Sequence, residues 1–91
     1  MPRRRQPAHM YSVKLVTYAD AAIKTQVERG EEHITQPEQL MSKLFYYGPS
    51  IAQAERNFSR AALEAYNHPL AYAVVMERDR EVIIRVKAAR L

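Results

Sequence analysis

The sequence predicts an α+β domain in which a small antiparallel sheet packs on a pair of helices. Three segments carry this prediction: a run of β-branched and aromatic residues at 11–18, an apolar stripe at helical spacing within 51–65, and two apolar runs around a polar centre at 70–87. A chain of 91 residues has room for one domain. We expect a flexible basic arm at residues 1–10 and a single folded unit at 11–91.

The first element is predicted to be a strand, because residues 11–18 (YSVKLVTY) contain no glycine or proline. Residues 19–29 fit two structures. Ile23 and Val27 suit one side of a short helix that Gly30 would end. The same two residues alternate with polar neighbours, which suits a second strand. We favour the helix and leave the strand as the alternative.

The middle of the chain is predicted to hold two helices. Thr35 and Glu38 form a capping box, and the next apolar residues lie at helical spacing before Gly48 and Pro49 end the element. These apolar residues are Leu40, Met41, Leu44 and Phe45.

Ser50 and Gln53 repeat the capping signal, and Pro69 stops the second helix. Its apolar stripe consists of Ile51, Ala54, Phe58, Ala61, Ala62 and Ala65. Two helices joined across residues 47–50 would form an antiparallel or angled pair.

Residues 70–87 (LAYAVVMERDREVIIRVK) are predicted to form a hairpin with one of two registers. A three-residue loop at 78–80 would set Glu77 opposite Glu81, a repulsive pair. It would turn one set toward the core: Tyr72, Val74, Met76, Val82, Ile84 and Val86. A two-residue loop would pair Glu77 with Arg80 and turn Ala71, Ala73 and Val75 inward instead.

Either register leaves Ile83 on the opposite face, beside Arg85 and Lys87. A strand that is apolar on both faces needs cover on both, and a small domain with few helices offers little. We therefore expect a homodimer. The predicted interface residues are Tyr72, Val74, Ile83 and Ile84. In the alternative, the first strand and a helix cover Ile83 within one chain.

The composition argues against several classes of chemistry. Cysteine is absent, which excludes disulfides and thiolate ligands. His9, His33 and His68 lie in separate segments, and two glycines are too few for a phosphate-binding loop. The sequence contains no apolar run of about 18 residues, the length that would indicate a membrane span. We expect a cytoplasmic protein that is not an enzyme, holds no cofactor or metal, and has no small-molecule substrate.

Charge is distributed unevenly along the chain, whose net charge is +4. Residues 1–24 carry +4, residues 25–55 carry −3 and the remainder carries +3. Basic ends favour a polyanionic partner, and arginine suits phosphate because its planar fork donates two hydrogen bonds. The predicted phosphate contacts are Arg3, Arg4, Arg5, Arg56, Arg60, Arg85 and Lys87. The same cations also fit an ordinary solvated surface.

These patterns predict a small basic homodimer that binds nucleic acid, DNA rather than RNA, as a transcriptional or accessory regulator. A module that docks an acidic protein is the alternative. Residues 11–47 resemble the strand–helix–helix start of ribbon-helix-helix repressors. Residues 73–91 (AVVMERDREVIIRVKAARL) are similar to the closing strands of small ribonuclease toxins of toxin–antitoxin modules, which implies RNA cleavage as a third function.

Overall fold

A four-stranded antiparallel sheet with a long helix across one face forms the framework of the protein. The structure, a computed structural model, describes residues 9–30 and 37–87. The elements are β1 (Tyr11–Tyr18), α1 (Ala21–Glu28), a 3₁₀ turn (Pro37–Gln39), β2 (Leu40–Gly48), α2 (Ile51–Tyr66), β3 (Ala71–Arg78) and β4 (Glu81–Lys87). The strand order is β2-β1-β3-β4. The predicted α+β class is confirmed, with four strands where three were expected.

The ambiguous segment after β1 forms the helix α1, as favoured. Its N-cap is Asp20, whose carboxylate accepts a hydrogen bond from the N–H of Ile23 at 2.9 Å. Gly30 follows the helix with φ of 76°, a left-handed conformation that glycine adopts at little cost.

The prediction of a helix between Thr35 and Gly48 is wrong, because residues 40–48 form strand β2. Thr35 itself lies outside the described residues. β2 pairs with β1, and its register shifts at Phe45, which has no partner of its own. This bulge turns both Phe45 and Tyr46 toward the core, since both pack against the buried cluster. The predicted helical pair is therefore a strand followed by a helix.

The second predicted helix is confirmed as α2. Ser50 is its N-cap, and the Ser50 hydroxyl accepts a hydrogen bond from the N–H of Gln53 at 3.1 Å. The buried residues of α2 are Ala54, Ala61 and Ala65. Their short side chains let the helix lie close against Val13 and Leu15 of β1 and Val74 and Met76 of β3, which complete the core.

The predicted hairpin is confirmed, but neither predicted register is correct. A two-residue loop joins β3 to β4, and Arg78 pairs with Glu81. Asp79 and Arg80 have φ of 52° and 73°, the positive values that a type I′ turn requires. Ile83 has no partner in β3, so it is an extra residue in β4. Because of this extra residue, Ile84 and Val86 lie opposite Met76 and Val74 and on the same face of the sheet.

Candidate nucleic-acid interface

The sheet has two faces of different character, because side chains alternate along each strand. α2 packs on the face that carries Val13, Leu15, Val74 and Met76. We call the opposite side the second face. Register and alternation place on it Ser12, Lys14, Val16 and Tyr18 of β1, Leu44 and Tyr47 of β2, Ala73, Val75 and Glu77 of β3, and Arg85 and Lys87 of β4.

One end of the second face holds a cluster of a tyrosine and two cations. Tyr72 is the extra residue where β3 shifts register against β1, and its ring reaches Arg85 and Lys87. The Arg85 guanidinium donates a hydrogen bond to the Tyr72 hydroxyl at 2.9 Å and lies 5.6 Å from the ring centroid. The Lys87 ammonium lies 5.9 Å from the same centroid. We call Tyr72, Arg85 and Lys87 the aromatic–cation cluster.

A second tyrosine supports this cluster. Tyr18 packs edge-to-face on Tyr72, with ring centroids 5.4 Å apart, and is 7% exposed. The buried Tyr18 ring therefore fixes the position of Tyr72, which is half-buried. Arg85 and Lys87 stand beside Val75 and Ala73 of the neighbouring strand, so both cations are held by a paired strand and not by a loop.

Among the described residues, no carboxylate compensates the positive charge of the cluster. Across residues 9–30 and 37–87, neither Arg85 nor Lys87 forms an ion pair with a carboxylate. Cation–π contact with Tyr72 leaves the charge of both groups in place, since the ring contributes only a quadrupole. The cluster therefore attracts anions.

The other end of the second face is electrically balanced. Ser12 donates a hydrogen bond to the Glu77 carboxylate at 3.2 Å, and the Lys14 ammonium lies 3.5 Å from the same oxygen. A depression of about 560 Å³ lies there, lined by Met10, Ser12, Lys14, Leu44, Tyr47, Glu77, Asp79 and Arg80. Two cations and two carboxylates share its wall, which gives it no preference for a polyanion.

The hairpin turn beside this depression is fastened to the start of β1. Asp79 accepts hydrogen bonds from the N–H of Met10 at 3.0 Å and from His9 at 2.5 Å. The backbone donor of Met10 is the main reason that the pKa of Asp79 lies below its usual value, and the His9 hydrogen bond lowers the pKa further. Asp79 therefore remains ionised into mildly acidic solution.

The predicted phosphate contacts fall into three groups. Arg85 and Lys87 come together in the aromatic–cation cluster. Arg56 and Arg60 are exposed on the side of α2 that faces away from the sheet. They therefore lie on the opposite side of the domain from the cluster, which is on the second face. The remaining three, Arg3, Arg4 and Arg5, lie outside the described residues.

The predicted interface residues also separate. Tyr72 belongs to the aromatic–cation cluster. Val74 is only 2% exposed and lies in the core of one chain, which leaves its side chain out of reach of a partner. Ile83 and Ile84 are 39% and 40% exposed on the edge strand β4.

Sequence reasoning did not include Tyr18 and Lys14 among the site residues. The alternation of Val13 and Leu15 with Ser12 and Lys14 was the available signal, because it assigns Lys14 and Tyr18 to one face of β1. The contact between Tyr18 and Tyr72 depends on the pairing of β1 with β3, which no local pattern reveals.

Two structural findings and the comparisons with known proteins complete the description of the site. Within the described part of the chain, no three histidine or acidic side chains converge as metal ligands. None of the described helices is long and apolar enough to cross a membrane. Comparison with protein-family models, curated proteins and solved structures finds no match to this chain.

Proposed function

We propose that the protein is a small homodimeric nucleic-acid-binding protein that contacts DNA through the second face of its sheet, as a transcriptional or accessory regulator. The observation that supports this proposal is the aromatic–cation cluster. Arg85 and Lys87 present two charges beside the ring of Tyr72 on a paired strand, and no carboxylate of the described residues pairs with either.

Each part of the cluster suits one part of a nucleotide. Arg85 presents guanidinium N–H groups that bind phosphate oxygens, and Lys87 adds a point charge. Tyr72 offers a ring on which an exposed base stacks. Such stacking needs an unpaired base, whereas the two cations serve duplex and single strand alike. The cluster therefore combines a phosphate contact with a base contact.

The two cations on α2 provide a matched control for this proposal. Arg56 and Arg60 carry the same total charge as Arg85 and Lys87, but they are exposed on the outer side of the helix. Replacing either pair with glutamine changes the net charge of the protein equally. A difference in binding between the two double variants would therefore report position and not overall charge.

The test is fluorescence anisotropy of labelled duplex and single-stranded DNA, titrated with the full chain across a salt series that begins at about 50 mM, where phosphate contacts are strongest. R85Q/K87Q should weaken binding and lower the slope of log affinity against log salt by about 2, because each lost phosphate contact removes about 1. R56Q/R60Q should leave the slope unchanged.

Two results would contradict the proposal. One is an absence of binding to either DNA at low salt. The other is an equal loss of DNA affinity in both double variants, which would show that net charge and not position determines binding. Polyglutamate in place of DNA tests the alternative ligand, an acidic protein surface: tight, cluster-dependent binding of polyglutamate but not of DNA would replace nucleic acid with that partner.

A further inference from the structure

We infer that two copies of the chain pair through the outer edge of strand β2, in antiparallel register about a two-fold axis at Ser42. This inference deepens the proposed function and rests on its homodimer. It specifies the edge that pairs and the residues that meet. The contact lies at the opposite edge of the sheet from the predicted interface residues Ile83 and Ile84.

The direction of the backbone groups of β2 follows from a hydrogen bond at its start. The N–H of Ala19 donates to the carbonyl of Gln39 at 2.9 Å, one position beyond the register of β1 and β2. Because hydrogen-bonded and non-hydrogen-bonded pairs alternate along an antiparallel ladder, the N–H and carbonyl groups of Leu40, Ser42 and Leu44 point away from β1. Among the described residues, no strand pairs with these groups.

β2 offers a longer regular edge than β4, the other outer strand of the sheet. Residues 40–44 keep an unbroken register with β1, and the bulge comes only at Phe45. In β4 the extra residue Ile83 lies within the strand and divides its edge. Bulges limit edge-to-edge pairing, so residues 40–44 are the better site for a regular ladder with another strand.

The charged side chain of β2, Lys43, does not block this edge. A lysine on an edge strand ordinarily opposes pairing with another strand. The Lys43 ammonium instead lies 3.1 Å from the Glu64 carboxylate of α2 and 5.2 Å from the centroid of the Phe45 ring. Its charge is therefore compensated within one chain, and its end is held against the helix.

The sequence of residues 40–44 is complementary to itself about Ser42, which selects a second copy as the occupant. A two-fold axis there sets Leu40 opposite Leu44 of the other copy, so the outward backbone groups bond each other. Met41 lies opposite the aliphatic stem of Lys43 on the side of α2. The small side chain of Ser42 meets itself at the axis, and no charge lies directly opposite a like charge.

The pairing covers apolar surface that one chain leaves exposed. Met41 is 60% exposed and Leu44 is 58% exposed, on opposite faces of β2. Their burial adds a hydrophobic contribution to the backbone hydrogen bonds. The four-stranded sheets of the two copies then form one continuous sheet.

The aromatic–cation cluster remains open in this dimer. It lies on β3 and β4, whereas the contact is at β2, on the far side of β1. Each dimer therefore carries two clusters, and association and DNA binding can be altered by separate substitutions.

The first experiment is light scattering of the full chain over a concentration series without DNA. The expected mass at high concentration is twice the 10.5 kDa of one chain. S42P removes the outward N–H of Ser42 and leaves the ladder to β1 intact, since proline is tolerated where an edge strand turns its N–H to solvent. It should weaken association at least about tenfold, because each dimer loses two backbone hydrogen bonds. S42A keeps the N–H and should retain the dimer.

L44K supplies a second measurement, with V86K as its matched control. Leu44 and Val86 are 58% and 52% exposed on the two outer strands, and each variant adds one charge. L44K sets a cation against Leu40 of the other copy and should weaken association. V86K changes the other edge and should leave the dimer unchanged.

The absence of cysteine permits a direct test of the register. Residues that face each other in a hydrogen-bonded pair have Cα atoms about 5.5 Å apart, within the range of a disulfide. Under mild oxidation, S42C should therefore form a disulfide-linked dimer on non-reducing electrophoresis. S59C is the control: Ser59 is exposed on α2, roughly 140° around the helix from Glu64, and should not cross-link.

Three results would overturn the inference: a wild-type chain that stays monomeric, a dimer that V86K weakens and L44K does not, or S42C that cross-links no faster than S59C. Far-UV circular dichroism verifies that every variant folds. R85Q/K87Q removes the cations of the cluster and should leave the mass of the dimer unchanged. A wild-type dimer that fails to bind DNA would contradict the nucleic-acid site alone.

Discussion

Asp79 and Met10 exchange two hydrogen bonds that join the hairpin turn to the start of β1. The N–H of Asp79 donates to the carbonyl of Met10 at 2.8 Å, and the N–H of Met10 donates to the Asp79 carboxylate at 3.0 Å. Asp79 also has a positive φ of 52°, which aspartate and asparagine tolerate better than most residues. One residue thus shapes the turn and anchors the chain that enters the sheet.

The lowered pKa of Asp79 predicts a pH-dependent contribution to stability. Because the folded value lies below the ordinary 3.8, the contribution is fully present above 3.8 and is lost as pH falls through the folded value. D79N keeps the turn geometry and removes the charge. Urea unfolding should show the wild type to be more stable than D79N at neutral pH, with the gap closing in acid. A gap that widens in acid would refute this assignment.

Gly48 is predicted to resist substitution because of Tyr46. A Cβ atom at Gly48 would lie 2.6 Å from the Tyr46 hydroxyl and 2.9 Å from the ring carbon that bears it. Tyr46 is not free to move, since its hydroxyl accepts the N–H of Ser50 at 3.0 Å and its ring packs on the core. G48A should therefore destabilise the protein by about 1–3 kcal/mol.

A double-mutant cycle with Y46F tests this explanation by urea unfolding. Removing the hydroxyl relieves the closest contact, so G48A should cost less in the Y46F background than in the wild type. Strictly additive costs would show that the two residues do not clash.

Ala61 is predicted to require a small side chain. It is fully buried where α2 meets the sheet. A61L inserts three carbon atoms into that contact and should cost about 1–3 kcal/mol in the free energy of unfolding. A52L adds the same atoms at an exposed position of the same helix and should change stability by less than about 0.5 kcal/mol. Equal losses in the free energy of unfolding for A61L and A52L would show that the contact at Ala61 is not tight.

Tyr72 is predicted to contribute to DNA binding through its ring more than through its hydroxyl. Y72A should lower affinity for single-stranded DNA about tenfold, because stacking of a base on an aromatic ring contributes about 1–3 kcal/mol. Y72F loses the hydrogen bond from Arg85 but keeps the ring, and it should retain most of the affinity. Anisotropy titrations measure both. Equal losses in Y72A and Y72F would make the Arg85 contact the important one.

The sequence predicted the elements whose periodicity is uninterrupted. β1 and α2 have regular patterns over their whole length, and both form where expected. β2 was assigned to a helix because Leu40, Leu44 and Phe45 repeat at helical spacing. Apolar residues on both faces of the strand explain the error: Leu40 and Leu44 lie on one face and Phe45 lies on the other, so residues four and five positions apart imitate a helical repeat.

The two predicted registers of the hairpin were also wrong because of local irregularities. Asp79 and Arg80 form a two-residue turn in which Arg80 has a φ of 73°, a conformation that arginine seldom adopts and that composition does not signal. The bulge at Ile83 then corrects the facing of the strands. Two irregularities that compensate each other cannot be deduced from alternation alone.

The candidate site was predicted in part. Arg85 and Lys87 could be grouped from alternation within one strand, and the structure brings them to the same ring. The separation of these cations from Arg56 and Arg60 depends on which side of the sheet α2 covers. That choice is made by long-range packing of Ala54 and Ala61 against β1 and β3.

The most direct test of the DNA site is a backbone amide NMR titration of the full chain with a short DNA. Chemical-shift changes should centre on Tyr72, Arg85 and Lys87, with little change at Arg56 and Arg60. Changes centred on the outer side of α2, or a spectrum that DNA leaves unaltered at low salt, would contradict this prediction.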